Sequence, residues 1–303
     1  MILRIFLLCA LLLAADIARA ATCLTGDCHR NLRDVGQRHA PAHAGNCLSC
    51  HTSHTATSQS RLVAPPTELC LACHEKIAAG MQRFKTRHAP LYREESCLLC
   101  HDPHASAQQA LLRAPQRELC LTCHGRDDFT TSQPLRNIDR ELQGKALIHQ
   151  PLTTGDCAAC HAAHGSDFHR LLNARYPSDF YAPYRPGIYD FCFQCHDQEL
   201  LLAAKTTTAT RFRHGTRNLH FLHVADPRKG RSCRACHQAH AGGAHLLVDA
   251  GGADFGDWRI PLRVQLSATG GRCFPGCHTA VDYDRDFRDS ANDPSSAPAG
   301  AAE

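Results

Sequence analysis

Pairs of cysteines followed at once by a histidine recur nine times in this chain and include every cysteine after Cys9. Seven pairs have the strict C-x-x-C-H spacing; the first pair is widened to four intervening residues and the last to three. C-x-x-C-H is the attachment signature of c-type haem. One helical turn puts both sulfurs on one side, where they can reach the two vinyl groups of a porphyrin, and the next residue turns an imidazole onto the iron. The nine sites are Cys23-Cys28-His29, Cys47-Cys50-His51, Cys70-Cys73-His74, Cys97-Cys100-His101, Cys120-Cys123-His124, Cys157-Cys160-His161, Cys192-Cys195-His196, Cys233-Cys236-His237 and Cys273-Cys277-His278.

Two other uses of cysteine compete with haem attachment. Nineteen cysteines in an exported chain are typical of a disulfide scaffold, and zinc sites assemble four ligands from two such pairs. Neither use explains why a histidine follows all nine pairs. We therefore expect haem c as the cofactor, nine in all. At least seven are expected if the widened sites that begin at Cys23 and Cys273 form disulfides instead.

The first twenty residues are predicted to be a signal peptide, residues 1–20. Met1 to Arg4 supply a short positive start, Ile5 to Ala15 form an apolar run, and Ala18-Arg19-Ala20 provides an A-x-A cleavage signal. The apolar run is too short for a transmembrane helix, and no later stretch approaches the length of about 20 residues that one needs. We expect an exported chain, located in the periplasm or at the cell surface, with no transmembrane segment in its mature form.

Composition limits how the mature chain can fold. Each haem has roughly thirty residues around it, which is too little protein for a large apolar core, so the porphyrins themselves are expected to form the core. The predicted fold class is therefore one of short α-helices and irregular loops wrapped around a haem core, with little or no β-sheet. Leucines such as Leu62, Leu112, Leu171 and Leu172 are expected to pack against it. The polypeptide charge of +4 does not indicate a nucleic-acid partner, because haem propionates would make the loaded protein acidic.

An internal repeat organises the motifs. The segment "RHAPAHAGNCLSCHTSH…LVAPPTELCLACH" recurs 50 residues later as "RHAPLYREESCLLCHDPH…LLRAPQRELCLTCH", and two further copies have longer inner spacers. Each copy holds an upstream histidine, a first site, a histidine three residues after that site, and a second site. The predicted division is a leading single-haem segment at 21–37, two-haem copies at 38–86, 87–140, 141–210 and 211–289, and a disordered tail at 290–303.

The histidines outside the motifs are numerous enough to give each iron a second ligand. Of 22 histidines, nine are the proximal ligands and thirteen remain. Four of these lie in C-H-x-x-H, three residues after a proximal histidine. On a helix such a histidine projects about 60° away from the proximal one, so it cannot bind the same iron from the opposite face but can reach a neighbouring haem. Three lie in H-x-P, and two more hold the matching place in the fourth copy. His43, His169, His214 and His245 fall outside the pattern, and His214 is the alternative to His223 as ninth ligand. The predicted distal ligands are His39, His54, His88, His104, His149, His164, His220, His223 and His240.

This ligand set favours electron transfer over catalysis. Methionine occurs only as Met1 and Met81, so the coordination is expected to be His/His, which lacks the thioether that raises the potential of His/Met cytochromes. Two nitrogen ligands also leave no open position for a substrate. We expect an electron carrier with low-potential haems and no enzymatic activity. The alternative is a multihaem reductase of a small nitrogen or sulfur oxyanion, which requires one five-coordinate haem.

The repeated composite, from "CLTGDCH" through "RHAP…C..CH..H…LL…P..ELC..CH" to "GGRCFPGCHTAVDYDR", resembles the multihaem c-type cytochromes with doubled CxxCH motifs of bacteria that respire metals or other external acceptors. The resemblance covers nearly the whole mature chain. It implies bis-His haems in closely stacked pairs and a role in extracellular respiration. The partners it implies are other redox proteins: cytochromes, a quinol-linked donor, a porin conduit or neighbours in a filament. The widened first and last sites and His214-Gly215 depart from the pattern.

Overall fold

A computed structural model describes residues 29, 32, 36–54, 58–130, 134–243 and 245–288. The predicted signal peptide, the cysteines Cys23 and Cys28, and the predicted tail at 290–303 lie outside these residues. Within them, no helix has the length and apolar character that crossing a membrane requires. The chain divides into two compact units. Unit 1 comprises residues 1–136 and 162–167, and unit 2 comprises residues 137–161 and 168–303.

The helices are short and most of them carry or flank a cysteine motif. Proline begins several of them because its fixed φ suits the first helical turn, where no N–H partner is needed. Unit 1 contains α1 (Ala40–His43), α2 (Pro66–Leu71), α3 (Glu75–Arg83) and α4 (Gln116–His124). Unit 2 contains α5 (Ile138–Leu142), α6 (Gln150–Thr153), α7 (Asp190–Phe193), α8 (Glu199–Leu202) and α9 (Leu219–Val224). Single 3-10 turns lie at Cys47–Ser49, Ala89–Tyr92, Ser96–Leu99, Gln109–Leu111, Cys157–Ala159, His169–Leu171, Cys233–Ala235 and His245–Leu247.

Very short antiparallel strands join segments that are far apart in sequence. In unit 1, β1 (Gln37–Arg38) pairs with β2 (Ala105–Ser106), and Thr86 bridges to Ser166. In unit 2, β3 (Leu147–Ile148) pairs with β6 (Ala241–Gly242). Each pairing ties the start of one copy of the repeat to the segment that follows C-H-x-x-H in the next copy. Unit 2 also contains the hairpin of β4 (Arg213–His214) and β5 (Arg217–Asn218).

The expectation of little or no β-sheet is not confirmed, and the end of unit 2 requires a correction. A hairpin joins β7 (Ala253–Phe255) to β8 (Trp258–Ile260). Beyond it, β9 (Leu262–Leu266), β10 (Gly270–Pro275) and β11 (Val281–Asp284) form an antiparallel sheet in the order β11-β10-β9. The sheet forms because β9 alternates apolar and polar residues, the pattern of a half-buried strand.

Neither unit has a large protein core. In unit 1, Ala105 is the only hydrophobic residue that is buried among those described. Leu48, Leu62 and Val63 are 56%, 42% and 51% exposed. Unit 2 has a cluster in which Tyr189 and Leu201 are almost fully buried, together with Leu172, Tyr176, Ala182 and Val224. Apolar side chains around the described motifs of unit 1 thus remain largely exposed, which agrees with a core made by a prosthetic group.

Candidate haem sites

The strict cysteine motifs form the single helical turn that their spacing predicts. In six of them the N–H of the histidine donates to the carbonyl of the first cysteine, at 2.9–3.0 Å. The last, widened site is built differently, because Cys273 lies inside β10 and pairs with Val264 on β9 and Val281 on β11. An extra residue before Cys277 accompanies this change from helix to strand. None of the sixteen described cysteines forms a disulfide, and these include Cys273 and Cys277.

The imidazole rings of the proximal histidines lie opposite rings of the predicted distal histidines. Eight such pairs have ring centroids 5.7–6.4 Å apart. Six are nearly parallel, with interplanar angles of 13–25°. Each of these sixteen rings belongs to only one of the pairs. The pairs are His29–His54, His39–His74, His51–His104, His88–His124, His101–His164, His149–His196, His161–His240 and His220–His237.

These pairs fit the axial ligands of haem iron. Two imidazoles that bind one metal ion from opposite sides, with bonds of about 2 Å, have ring centroids about 6 Å apart. Among the described residues no group of three or more histidine, cysteine or acidic side chains is arranged to hold a metal ion. Two axial donors are nevertheless enough for haem, because the porphyrin supplies the other nitrogen ligands. The geometry therefore suits haem better than the tetrahedral zinc site considered above.

The pairing follows a constant offset along the repeat. A C-H-x-x-H histidine faces the first proximal histidine of the preceding copy, as His104 faces His51. An H-x-P histidine faces the second proximal histidine of its own copy, as His39 faces His74. In the fourth copy, His220 takes the place of a C-H-x-x-H histidine opposite His237. The sequence identified these histidines as ligand candidates but did not predict which faced which.

Backbone carbonyls fix the orientation of the distal rings. The Nδ1–H of the H-x-P histidines donates to the carbonyl of the residue just before the C-H-x-x-H histidine of the next copy. These bonds run from His39 to Pro103, at 2.9 Å, and from His88 to Ala163, at 2.9 Å. Because Nδ1 is occupied, Nε2 is left as the atom that can bind iron. In the third copy His149 donates to Ala239 in the same way, at 3.1 Å.

The proximal rings have their own carbonyl acceptors, which the sequence reading did not identify. Nδ1 of His101 donates to the carbonyl of Ala110, nine residues later, at 2.8 Å. Ala110 and Leu111 both have positive φ, 53° and 57°, a conformation that L-residues rarely adopt. His161 with Arg170-Leu171 and His237 with Leu246-Leu247 repeat the arrangement. The signal in the sequence is a leucine ten residues after each of these proximal histidines, at Leu111, Leu171 and Leu247.

His223 lies near His278, and these two histidines are the candidates for a ninth pair. The pKa of His223 is lowered by burial, and the nearby charges that lower it further include His278. Nδ1 of His223 donates to the carbonyl of Leu219 at 2.7 Å, which again leaves Nε2 available. His214, the alternative, is held elsewhere: its Nδ1 accepts the backbone N–H of Asp284, and its ring stacks on Phe287. The structure thus favours His223 as the ninth distal histidine.

The remaining spare histidines do not face proximal rings in the part of the chain that is described. His43 is exposed at the end of α1, and His169 contacts the ring of Tyr176.

By contrast, His220 is well buried, and burial together with His237 and His223 lowers its pKa to about 4. Such an imidazole stays neutral near pH 7, the form in which it can bind a metal.

Neighbouring attachment sites lie close together within each unit. In unit 1, burial and the thiols of Cys97 and Cys50 raise the pKa of Cys70 to about 11, and Cys123 contributes to raising that of Cys100. Burial lowers the pKa of His51, and the nearby imidazoles of His104, His54 and His29 lower it further, so the proximal histidine of the leading site lies near that of the second. Described residues of the five sites of unit 1 therefore lie near those of the next site along the chain.

Unit 2 contains a second row. A hydrogen bond with Cys233 raises the pKa of Cys192, and the pKa of Cys236 is raised to about 11 mainly by burial, with Cys273 and Cys277 adding to the effect. Burial and Cys195 raise the pKa of Cys160. The four sites that begin at Cys157, Cys192, Cys233 and Cys273 therefore lie next to one another in sequence order.

Comparison with protein families supports this interpretation. The model of the doubled CXXCH motif matches residues 39–79, 88–129 and 149–200. All three matches begin at an H-x-P histidine, and they cover the first three copies of the repeat. A search of curated proteins finds no match. The doubled motifs indicate a chain that binds c-type haem covalently at several sites, as multihaem c-type cytochromes do.

Proposed function

We propose that this chain is an electron-transfer protein that carries nine covalently bound, low-potential c-type haems, each with two histidine ligands. The observation that carries the proposal is the one-to-one pairing of proximal and distal histidines. Eight pairs have rings at the separation that two axial ligands require, and His223 lies near His278 as the ninth. When bound, c-type haem supplies a one-electron carrier.

The residues of the chain serve this function in three ways. The cysteines hold each group by two covalent bonds, and the paired imidazoles occupy both axial positions, which leaves no place for a substrate. The carbonyls that accept from Nδ1 hold the rings in the orientation for binding. The close succession of sites in each unit supports transfer from one site to the next, along five sites in unit 1 and four in unit 2.

We further propose that the chain works outside the cytoplasm, in the periplasm or at the cell surface, and feeds an external or periplasmic acceptor. The predicted signal peptide and the covalent attachment motifs support this location. Its partners would then be other redox proteins, among them cytochromes, a quinol-linked donor, or a porin conduit.

Electron paramagnetic resonance of the oxidised, haem-loaded protein tests the proposal together with intact mass. We expect nine haems by mass and low-spin ferric iron throughout. Because His104 faces His51, His104→Ala should convert one haem in nine to a high-spin form that binds carbon monoxide after reduction. His43→Ala is the matched control, since His43 is exposed and faces no proximal ring in the described residues, and it should leave all haems low-spin.

Three results would contradict the proposal. A stoichiometric high-spin signal in the unaltered protein would favour the reductase, because it would reveal an iron with an open position. A mass corresponding to seven haems would show that the widened sites at Cys23 and Cys273 are disulfides. Reduced protein mixed with a soluble ferric chelate should also be oxidised rapidly at every haem, and slow oxidation of most haems would contradict a carrier role.

A further inference from the structure

The His161–His240 pair differs from the six nearly parallel ring pairs in two respects. Its rings are tilted by 42°, whereas six other pairs lie between 13° and 25°. Nδ1 of His240 also lies 3.1 Å from the carboxylate oxygen Oε2 of Glu141. The H-x-P histidines direct the same atom to a backbone carbonyl, and His220 directs it to the hydroxyl of Thr210.

The nearest comparison shows that an adjacent carboxylate is not enough to make this contact. Asp102 lies near His104, which occupies the position in the second copy that His240 occupies in the fourth. Its oxygen is 3.9 Å from Nδ1 of His104, too far for a hydrogen bond. That oxygen instead accepts the backbone N–H groups of His104 and Ala105. The contact of Glu141 with His240 is thus a separate feature of unit 2.

Glu141 is held in place by the elements on either side of it. It lies on α5, which is capped by Asn137 through a bond to the N–H of Arg140 and anchored by the buried side chain of Leu142. Strand β3 follows closely and pairs with β6, and β6 begins directly after His240. The ion pair of Lys145 with Asp249 adds a second tie between the same two stretches of chain. The contact joins residues 99 apart in the sequence, and the backbone pairing of β3 with β6 supports it.

A carboxylate at this place has a defined effect on the iron that the pair binds. A charge-assisted hydrogen bond draws the Nδ1 proton toward the carboxylate and makes Nε2 a stronger donor. The stronger donor and the negative charge both favour the ferric state, which carries one more positive charge than the ferrous state. Glu141 is 40% exposed, so solvent weakens the effect without reversing its sign.

We propose that Glu141 is a positioning residue that lowers the reduction potential of the haem attached at Cys157 and Cys160. This inference rests on the proposed function. The site is the first of the row in unit 2 along the chain, so a lower potential there would favour passing an electron on to the neighbouring site at Cys192.

Potentiometric titration of the haem-loaded protein, followed by electron paramagnetic resonance, tests the inference. The component that belongs to this site is identified by its conversion to high spin in His240→Ala. In Glu141→Gln, which keeps the shape and removes the charge, this component should shift to higher potential while the others stay in place. Asp139→Asn is the matched control, because Asp139 lies on the same helix and its carboxylate accepts from Gln143. It should leave the component unmoved.

Three results would overturn the inference. They are an unchanged potential in Glu141→Gln, an equal shift in Asp139→Asn, and a high-spin signal in Glu141→Gln, which would mean that the carboxylate is needed for ligation itself. Failure of the proposed function is distinguishable from all three. It would appear in the unaltered protein, as missing haem or a high-spin iron.

Discussion

Replacing alanine by glycine should have opposite effects on stability at two places in unit 1. One place has left-handed backbone and holds a proximal ring, and the other lies in a regular helix. Ala110 has φ 53° and ψ 25°, while Ala79 lies in the interior of α3; both are exposed and both belong to unit 1. The left-handed conformation costs an L-residue about 1–2 kcal/mol, and a glycine avoids this cost. Glycine also loses more conformational entropy on folding, which offsets about 0.5–1 kcal/mol of the benefit. Ala110→Gly should therefore stabilise the protein by up to about 1 kcal/mol.

Ala79→Gly should do the reverse. It replaces a good helix former in a regular helix and should cost about 1 kcal/mol. Guanidinium unfolding of the haem-loaded protein, followed by the Soret band, measures both variants in the same transition, and an unchanged m-value confirms that the midpoint reports stability. Equal destabilisation by the two variants would refute the reasoning, because it would mean that the carbonyl facing His101 is presented by an ordinary backbone conformation.

Three further predictions concern single sites. Parallel imidazole planes split the iron d orbitals more than perpendicular planes do, so the 87° pair of the leading site should give the most anisotropic low-spin signal. His54→Ala should remove that signal alone, and loss of a different component would contradict the pairing. His223→Ala should make one haem high-spin whereas His214→Ala should not, and the opposite outcome would reassign the ninth ligand. The hydrogen bond from Lys145 lowers the pKa of Asp249, so its stabilisation is present above the unfolded pKa of about 4 and lost as pH falls through the lower folded value. Stability measured against pH should fall less steeply on the acid side in Asp249→Asn, and an unchanged slope would argue against the ion pair.

The attachment motifs and the set of facing histidines followed from the sequence, because both depend on residue types at short, fixed spacings. The choice of partner did not. His51 faces His104 because β1 and β2 pair across more than sixty residues, and strands of two residues have no periodic pattern to reveal them. Local spacing specifies the local turn, while the offset between copies is a long-range property.

Two other features were missed for local reasons. The positive φ values of Leu111 and Leu171 occur at residues that normally avoid them, so no glycine marks the turns. Strand β10 has the sequence "GGRCFP", in which glycine and proline argue against a strand. It forms because its neighbours β9 and β11 cover both edges, and that information lies outside the segment.

The offset between copies determines how such a chain can lengthen or shorten. A copy inserted between two others receives a distal histidine from its successor and gives one to its predecessor, so every iron keeps two ligands. A chain cut after the third copy would instead leave His161 without His240, and one iron would gain an open coordination position. The last copy avoids this by carrying both His220 and His223. In the proposed haem-loaded protein, an inserted copy would therefore keep both axial positions of every iron filled. Loss of the fourth copy would leave one position open, where a small molecule could bind iron.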